Sequence, residues 1–239
     1  NNHNGKIDLA FDLVDKAIES GADCAKFQMR SENLYRNNTN SEDLGSEYTL
    51  DLLSKFQLKK EELFKVFDYC KKKGILPLCT PFDLESLMDL EEYGMPGYKV
   101  ASADLTNHIL LKELCKTQKP LICSTGMANN EEIIDTVSLL RQEGSNFCLL
   151  HCNSTYPAPY KDINLNYLKS LKIIGKGCQI GYSGHERGHH IPIAAVSLGA
   201  RIIEKHFTID REMEGNDHKV SLLPKEFKEM VSSIRDLEK

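Results

Sequence analysis

A chain of 239 residues that is 41% hydrophobic and 27% charged can bury one sizeable core, and α/β barrels reach this size as a single unit. Its formal net charge of −5, without any run rich in lysine and arginine, argues against a nucleic-acid partner. The longest apolar stretches are strand-length, such as Phe147 to Leu150, so no membrane span is expected.

The chain opens on Asn1-Asn2-His3-Asn4-Gly5, polar from the start, so no signal peptide is expected. Phe11, Val14, Ala17 and Ile18 then share one helical face that stops before Gly21, and an apolar run at 22–27 reads as a strand. A long polar stretch, 31–55, exceeds ordinary loop lengths; in barrels such excursions tend to cover the active site. Leu63, Val66, Phe67 and Cys70 form the next helical face, ending before Gly74 and followed by a strand at 75–79. Further strands fall at 98–101, 121–123, 147–151, 179–181 and 201–206. Between them, Ile133, Ile134, Val137 and Leu140 mark a helix before Gly144, and Pro224 opens a last helix carrying Phe227, Met230, Val231 and Ile234. Of the eight cysteines, Cys79, Cys123, Cys148 and Cys152 lie in or beside strand runs and no C-x-x-C pair occurs. They are expected to be buried free thiols in a reducing compartment, and the expected location is the cytoplasm.

Strands alternating with helices predict a parallel sheet with right-handed crossovers. An open doubly wound sheet would announce itself with a glycine-rich phosphate turn after its first strand, and none is present. A (β/α)8 TIM barrel fits better but lacks one strand. Because a seven-stranded barrel would leave open edges, the first strand is expected to be missing from this chain.

Polar residues recur at the carboxyl ends of the strands, where barrel enzymes hold their active sites: Lys26 and Gln28, Thr80, Ser102 and Asp104, Ser124, Tyr156, Ser183 and His185, and His206. Any single hydroxyl there is best read as satisfying turn backbone. The set, with Lys26 and Lys99, could surround a phosphate or carboxylate with donors. His185 and His206 close consecutive strands; a converging imidazole pair would suit a divalent metal with an open face, although 21 positions apart they are weak evidence alone. His108, His189 and His190 read as surface residues, and His151 as one that packs or orients the rim. Lys99 inside a strand leaves a second reading open, a Schiff-base class I aldolase.

Nine segments, in order and with matching spacing, resemble the N-acetylneuraminate (sialic acid) synthase family. They are Asn2-His3-Asn4-Gly5; Gly21-Ala22-Asp23 with Lys26-Phe27-Gln28; Thr80-Pro81-Phe82; Tyr98-Lys99-Val100-Ala101-Ser102; Ser124-Thr125-Gly126-Met127; Leu150-His151-Cys152 with Tyr156-Pro157-Ala158-Pro159; Gly181-Tyr182-Ser183-Gly184-His185; Glu204-Lys205-His206-Phe207-Thr208; and Gly215-Asn216-Asp217-His218. The resemblance covers nearly the whole chain. It implies a barrel that joins phosphoenolpyruvate to N-acetylmannosamine, its 6-phosphate or a related amino-sugar, releasing inorganic phosphate with one Mn2+ or Mg2+.

By the same resemblance, His185 and His206 would be the metal ligands, and Lys26, Thr80, Lys99, Ser102, Ser124 and Ser183 the phosphoenolpyruvate cradle. Gln28, Tyr156 and Asp217 would contact the sugar, and Asp104 would handle the attacking water. A homodimer is implied as well. The family's first strand and its C-terminal antifreeze-like domain have no counterpart in 1–239, and Gly184 stands where many bacterial members carry Asp. A non-catalytic barrel that only binds a sugar acid is the third reading.

Overall fold

The computed structural model describes residues 1–31 and 54–239, so most of the expected active-site cover, 32–53, lies outside the described residues. The described strands are β1 (Cys24–Met29), β2 (Leu76–Pro81), β3 (Tyr98–Val100), β4 (Leu121–Ser124), β5 (Phe147–Cys152), β6 (Gln179–Gly184) and β7 (Ile202–Lys205). Each begins within about two residues of its expected start. The larger difference is at the other end, where β6 runs three residues further than the apolar run suggests. The polar rim residues Gln28, Thr80, Ser124 and Ser183 therefore stand inside strands, as Lys26 was expected to, rather than in the loops after them. Parallel pairing carries the ladder past the last apolar side chain, since the backbone bonds do not depend on what the side chain is.

The helices are α1 (Ile7–Glu19), α2 (Lys60–Lys73), α3 (Leu84–Tyr93), α4 (His108–Lys116), α5 (Asn130–Gln142), α6 (Tyr167–Ile174), α7 (His190–Ser197) and α8 (Pro224–Leu237). Local chemistry sets their ends. Asp83 caps α3 by accepting from the Ser86 amide at 2.7 Å, and Asn129 and Glu132 form a reciprocal capping box on α5. Gly74 ends α2 at φ 81°, the left-handed conformation that frees the last carbonyls to be capped. The expected inner face of α2, Leu63, Val66, Phe67 and Cys70, is buried.

All seven described strands are parallel and lie in sequence order, β1 through β7. That order, with a helix between most neighbours, is the TIM-barrel pattern. Among the described residues β1 and β7 are edges, paired on one side each, and a cleft lies between them, lined by Cys24, Ala25, Phe27, Ile202 and Ile203 among others. No described helix is long and apolar enough to cross a membrane.

Pairing register decides which side chains share the inner face. Lys99, Ile122 and Cys148 form one row, and Gln28 pairs with Thr80. Above them come Ser124, Leu150, Gly181 and Ile202, and then Cys152, Ser183 and Glu204. The inner face thus turns from apolar to polar toward the strands' carboxyl ends. The opposite face packs against the helices through fully buried side chains such as Tyr98, Tyr182 and Cys123. All eight cysteines are free, and burial pushes the Cys79 thiol up to about 12, so these thiols act as small apolar side chains.

Candidate active site

The site is built where β1, β3, β4, β6 and β7 end. Lys99 is 4% exposed; its Nζ donates to Ser124 Oγ at 2.7 Å and to the Val100 carbonyl at 2.8 Å. Across the mouth, Glu204 Oε1 lies 3.2 Å from Lys26 Nζ and its Oε2 lies 3.9 Å from Lys99 Nζ. Burial alone would raise the Glu204 carboxyl, but Lys26 and Lys99 hold it down at about 2. Burial lowers the Lys99 amine, with Glu204 opposing. Ser183 neighbours Glu204 in register, and Ser102 Oγ accepts from the Gly126 amide at 3.1 Å.

Thr80 is different. Its hydroxyl is buried and has no hydrogen-bond partner among the described residues. A buried unsatisfied hydroxyl is costly, and among the described residues only Thr80 and Ser145 bear one.

The two imidazoles expected to converge do so: the His185 and His206 ring centroids are 5.2 Å apart. The Asn153 carbonyl lies 2.6 Å from His185 Nδ1 and can only accept, so Nδ1 carries the proton and donates to it, leaving the lone pair on Nε2, where the Tyr156 hydroxyl donates at 2.8 Å. Burial lowers His206 to about 4, against the pull of Asp217, whose Oδ2 is 3.7 Å from Nδ1. His185 is lowered by burial too. Both rings are thus neutral at physiological pH; the His185 lone pair on Nε2 accepts from Tyr156 here, so a cation bound to it would displace that hydroxyl. No described group of three or more His, Cys, Asp and Glu side chains surrounds an ion position, so a metal held here would keep most of its coordination open.

Other expected site residues are more dispersed. Tyr156 stacks on His185 with centroids 4.1 Å apart, so its hydroxyl is engaged by the imidazole. Gln28 Oε1 accepts from Asn1 Nδ2 at 3.0 Å at the outer lip. Asp104 follows β3 in a short 3-10 turn (Ser102–Asp104), half-buried, accepting from Asn107 Nδ2 at 3.3 Å. Burial raises its carboxyl, with Asn107 and Arg30 opposing, which makes it a better proton acceptor than an exposed aspartate. His151 packs as expected, buried with Nε2 2.6 Å from the Ile163 carbonyl.

Glu204 is the residue that sequence reasoning left without a role. The signal was available in Ile202-Ile203-Glu204-Lys205-His206, because alternation puts Glu204 on the face of His206. The opening loop was also undervalued. Asn2 Nδ2 donates to the Phe207 carbonyl at 2.8 Å and to Ser221 Oγ at 2.9 Å, while Asn1 reaches Gln28, so the loop bridges the ends of β1 and β7.

The neutral histidines carry a stability prediction. An unfolded imidazole takes a proton near 6.5, but His206 does so only near 4 and His3, also buried, only near 3. Between those values the unfolded state binds more protons, so stability falls as pH falls from about 6.5 toward 4. The slope from these two groups is up to about 2.7 kcal/mol per pH unit. Urea denaturation in EDTA at pH 7.0, 6.0 and 5.0 measures it; an unchanged midpoint would show that these rings are not buried neutral.

Fold and site together define a TIM-barrel-like enzyme with a neutral imidazole pair beside a cluster of lysine, serine and glutamate side chains. The chain belongs to the NeuB family, whose model matches residues 13–239. It is 42% identical to the N,N'-diacetyllegionaminic acid synthase of Campylobacter jejuni, over all of this chain and 74% of that protein. It is 33% identical to the human N-acetylneuraminate-9-phosphate synthase, over all of this chain and 68% of that one. The N-acetylneuraminic acid synthetase of Leptospira borgpetersenii, solved in complex with citrate, superposes with a TM-score of 0.91 at 35% identity, covering 99% of this chain and 80% of that one. These relatives are synthases, and the chain is an enzyme of that class.

Proposed function

We propose that this chain is the catalytic barrel of a nonulosonic acid synthase, condensing phosphoenolpyruvate with an amino-sugar aldehyde and releasing inorganic phosphate. The observation that carries this reading is the shared mouth: the His185–His206 pair opens beside the cluster of Lys26, Lys99, Ser124 and Glu204. N-acetylmannosamine, its 6-phosphate and the amino-sugars of legionaminic and pseudaminic acids form the acceptor class.

In this reading Lys26, Lys99, Ser124, Ser183 and the unpartnered Thr80 hydroxyl hold the phosphate and carboxylate of phosphoenolpyruvate. A divalent ion, Mn2+ or Mg2+, held by His185 and His206 would supply Lewis-acid polarisation of the aldehyde oxygen. The enol carbon C3 forms the new bond to the aldehyde carbon, and water adds at C2 with Asp104 accepting its first proton; the two protons of that water end on the former aldehyde oxygen, now a hydroxyl, and on the departing phosphate. The C–O bond to phosphate then breaks, and the lysines stabilise the charge on the leaving group. Asn153 and Tyr156 orient His185, and Gln28 and Asp217 face the sugar. We further propose that an eighth strand between β1 and β7 completes a (β/α)8 barrel, that 1–239 forms one domain, and that the enzyme works as a cytoplasmic homodimer.

Phosphate release from phosphoenolpyruvate, measured against a panel of these sugars with and without Mn2+, tests the reaction; no sugar-dependent release would end the reading. The buried Lys99 amine keeps the Schiff-base alternative in view. Borohydride trapping with pyruvate would label Lys99 in that case and leave a synthase unlabelled. Thr80 supplies a separate check. Thr80→Val removes a hydroxyl that no described residue satisfies, so the thermal midpoint should hold or rise, while KM for phosphoenolpyruvate rises about tenfold, worth about 1.4 kcal/mol. An unchanged KM would remove Thr80 from the cradle.

A further inference from the structure

Directly behind the imidazole pair sits an ion pair from which solvent is excluded. Lys205 Nζ lies 3.1 Å from Glu186 Oε1, and neither side chain has any exposure. The same ammonium donates to the Glu186 carbonyl at 2.5 Å, and the Tyr182 hydroxyl donates to Glu186 Oε2 at 2.7 Å. Glu186 directly follows His185, and Lys205 directly precedes His206. The loop leaving β6 is therefore tied to the last residue of β7 through contacts one residue removed from each ring. Pairing of Gly184 with Lys205 puts this link at the end of the β6–β7 ladder, where backbone bonds cease to hold the two segments in register.

We propose that the Glu186–Lys205 pair is a positioning clamp that sets the spacing of His185 and His206, and that it requires one carboxylate, supplied from position 186 or from position 184. The inference rests on the metal reading given above. Its second half comes from Gly184: a Cβ there would lie 2.6 Å and 2.7 Å from the two Glu186 carboxylate oxygens and 2.8 Å from Tyr182 Cε1, so the Tyr182 ring must give slightly in any variant at 184. The carboxylate of residue 186 thus fills the space immediately over residue 184. An aspartate at 184 would project its own carboxylate into that space, and the two cannot share it. A buried lysine needs one counter-charge and is destabilised without it, whereas two carboxylates in one pocket repel.

The experiment is calorimetric titration of Mn2+ into the full chain, with thermal midpoints recorded beside it. Wild type binds Mn2+ on the metal reading; absence of binding overturns that reading and the clamp's role with it. Given binding, Glu186→Ala and Gly184→Asp are each expected to weaken Mn2+ about tenfold to a hundredfold, the range typical of residues that orient metal ligands. The double variant G184D/E186A restores one carboxylate and should bind within about threefold of wild type. Single variants that bind as wild type overturn the clamp alone. A double variant that is unfolded, or binds no better than E186A, overturns the exchange of carboxylates. Should E186A fail to fold, E186M/K205M removes both charges and keeps the interior packed; it is expected to fold and to bind Mn2+ at least tenfold more weakly, and wild-type affinity in it overturns the clamp.

Discussion

Lys99→Met is expected to lower phosphate release about a thousandfold while the protein stays folded. The lysine is the most deeply enclosed cation of the anion pocket, held by Ser124 and the Val100 carbonyl and facing Glu204. Methionine follows the lysine stem as far as Cε, fills most of the same channel and removes an ammonium whose desolvation opposes folding, so the thermal midpoint should not drop by much. The loss falls on the step that builds charge on departing phosphate. A preorganised charged donor in a dry site is worth about a hundredfold to a thousandfold, and the loss also leaves Glu204 facing Lys26 alone. Steady-state phosphate release measures it. A rate within tenfold of wild type would mean that Lys99 is structural and that Lys26 carries the phosphate.

His185→Ala and His206→Ala should each reduce activity by at least about a thousandfold, and should erase any rise in thermal midpoint on adding Mn2+. On the proposed metal reading two protein ligands are few for a catalytic ion, so losing one could not be shared out among others. For wild type, an ion present at a hundred times its Kd stabilises by about 2.7 kcal/mol, an effect readily seen in a melt. Tyr156→Phe separates orientation from ligation. It removes the hydroxyl that a cation must displace from His185 Nε2 but keeps the stacked ring that orients the imidazole, so Mn2+ is expected to raise the thermal midpoint at least as much as in wild type. Activity that survives either alanine variant, or that persists in EDTA, contradicts the metal assignment and would direct attention to Lys99 as a nucleophile.

How much of this was readable in one dimension varies residue by residue. The seven strand runs and the glycine-ended helices were legible because burial on both faces and left-handed caps leave local marks, as at Phe147–Cys152 and Gly74. The gathering of polar residues at strand ends was legible for the same reason. Glu204 was passed over because a carboxylate within Ile-Ile-Glu-Lys-His has no local meaning; its meaning comes from Lys26 and Lys99, which lie far off in the chain. Asp104 could be placed after β3 but not oriented, since Asn107 and Arg30 set its surroundings.

The sequence by itself determined an ordered series of parallel strands and helices, the position of polar side chains at one end of that series, and a chemistry of amines, hydroxyls and imidazoles. Only the tertiary structure decided that His185 and His206 face each other, that Thr80 finds no partner among the described residues, and that Glu186 reaches Lys205. The physical reason is range. Periodicity and caps are settled within a turn or two of backbone, whereas row membership depends on the register of every intervening strand, and one residue of slip would turn each of these side chains away from the mouth.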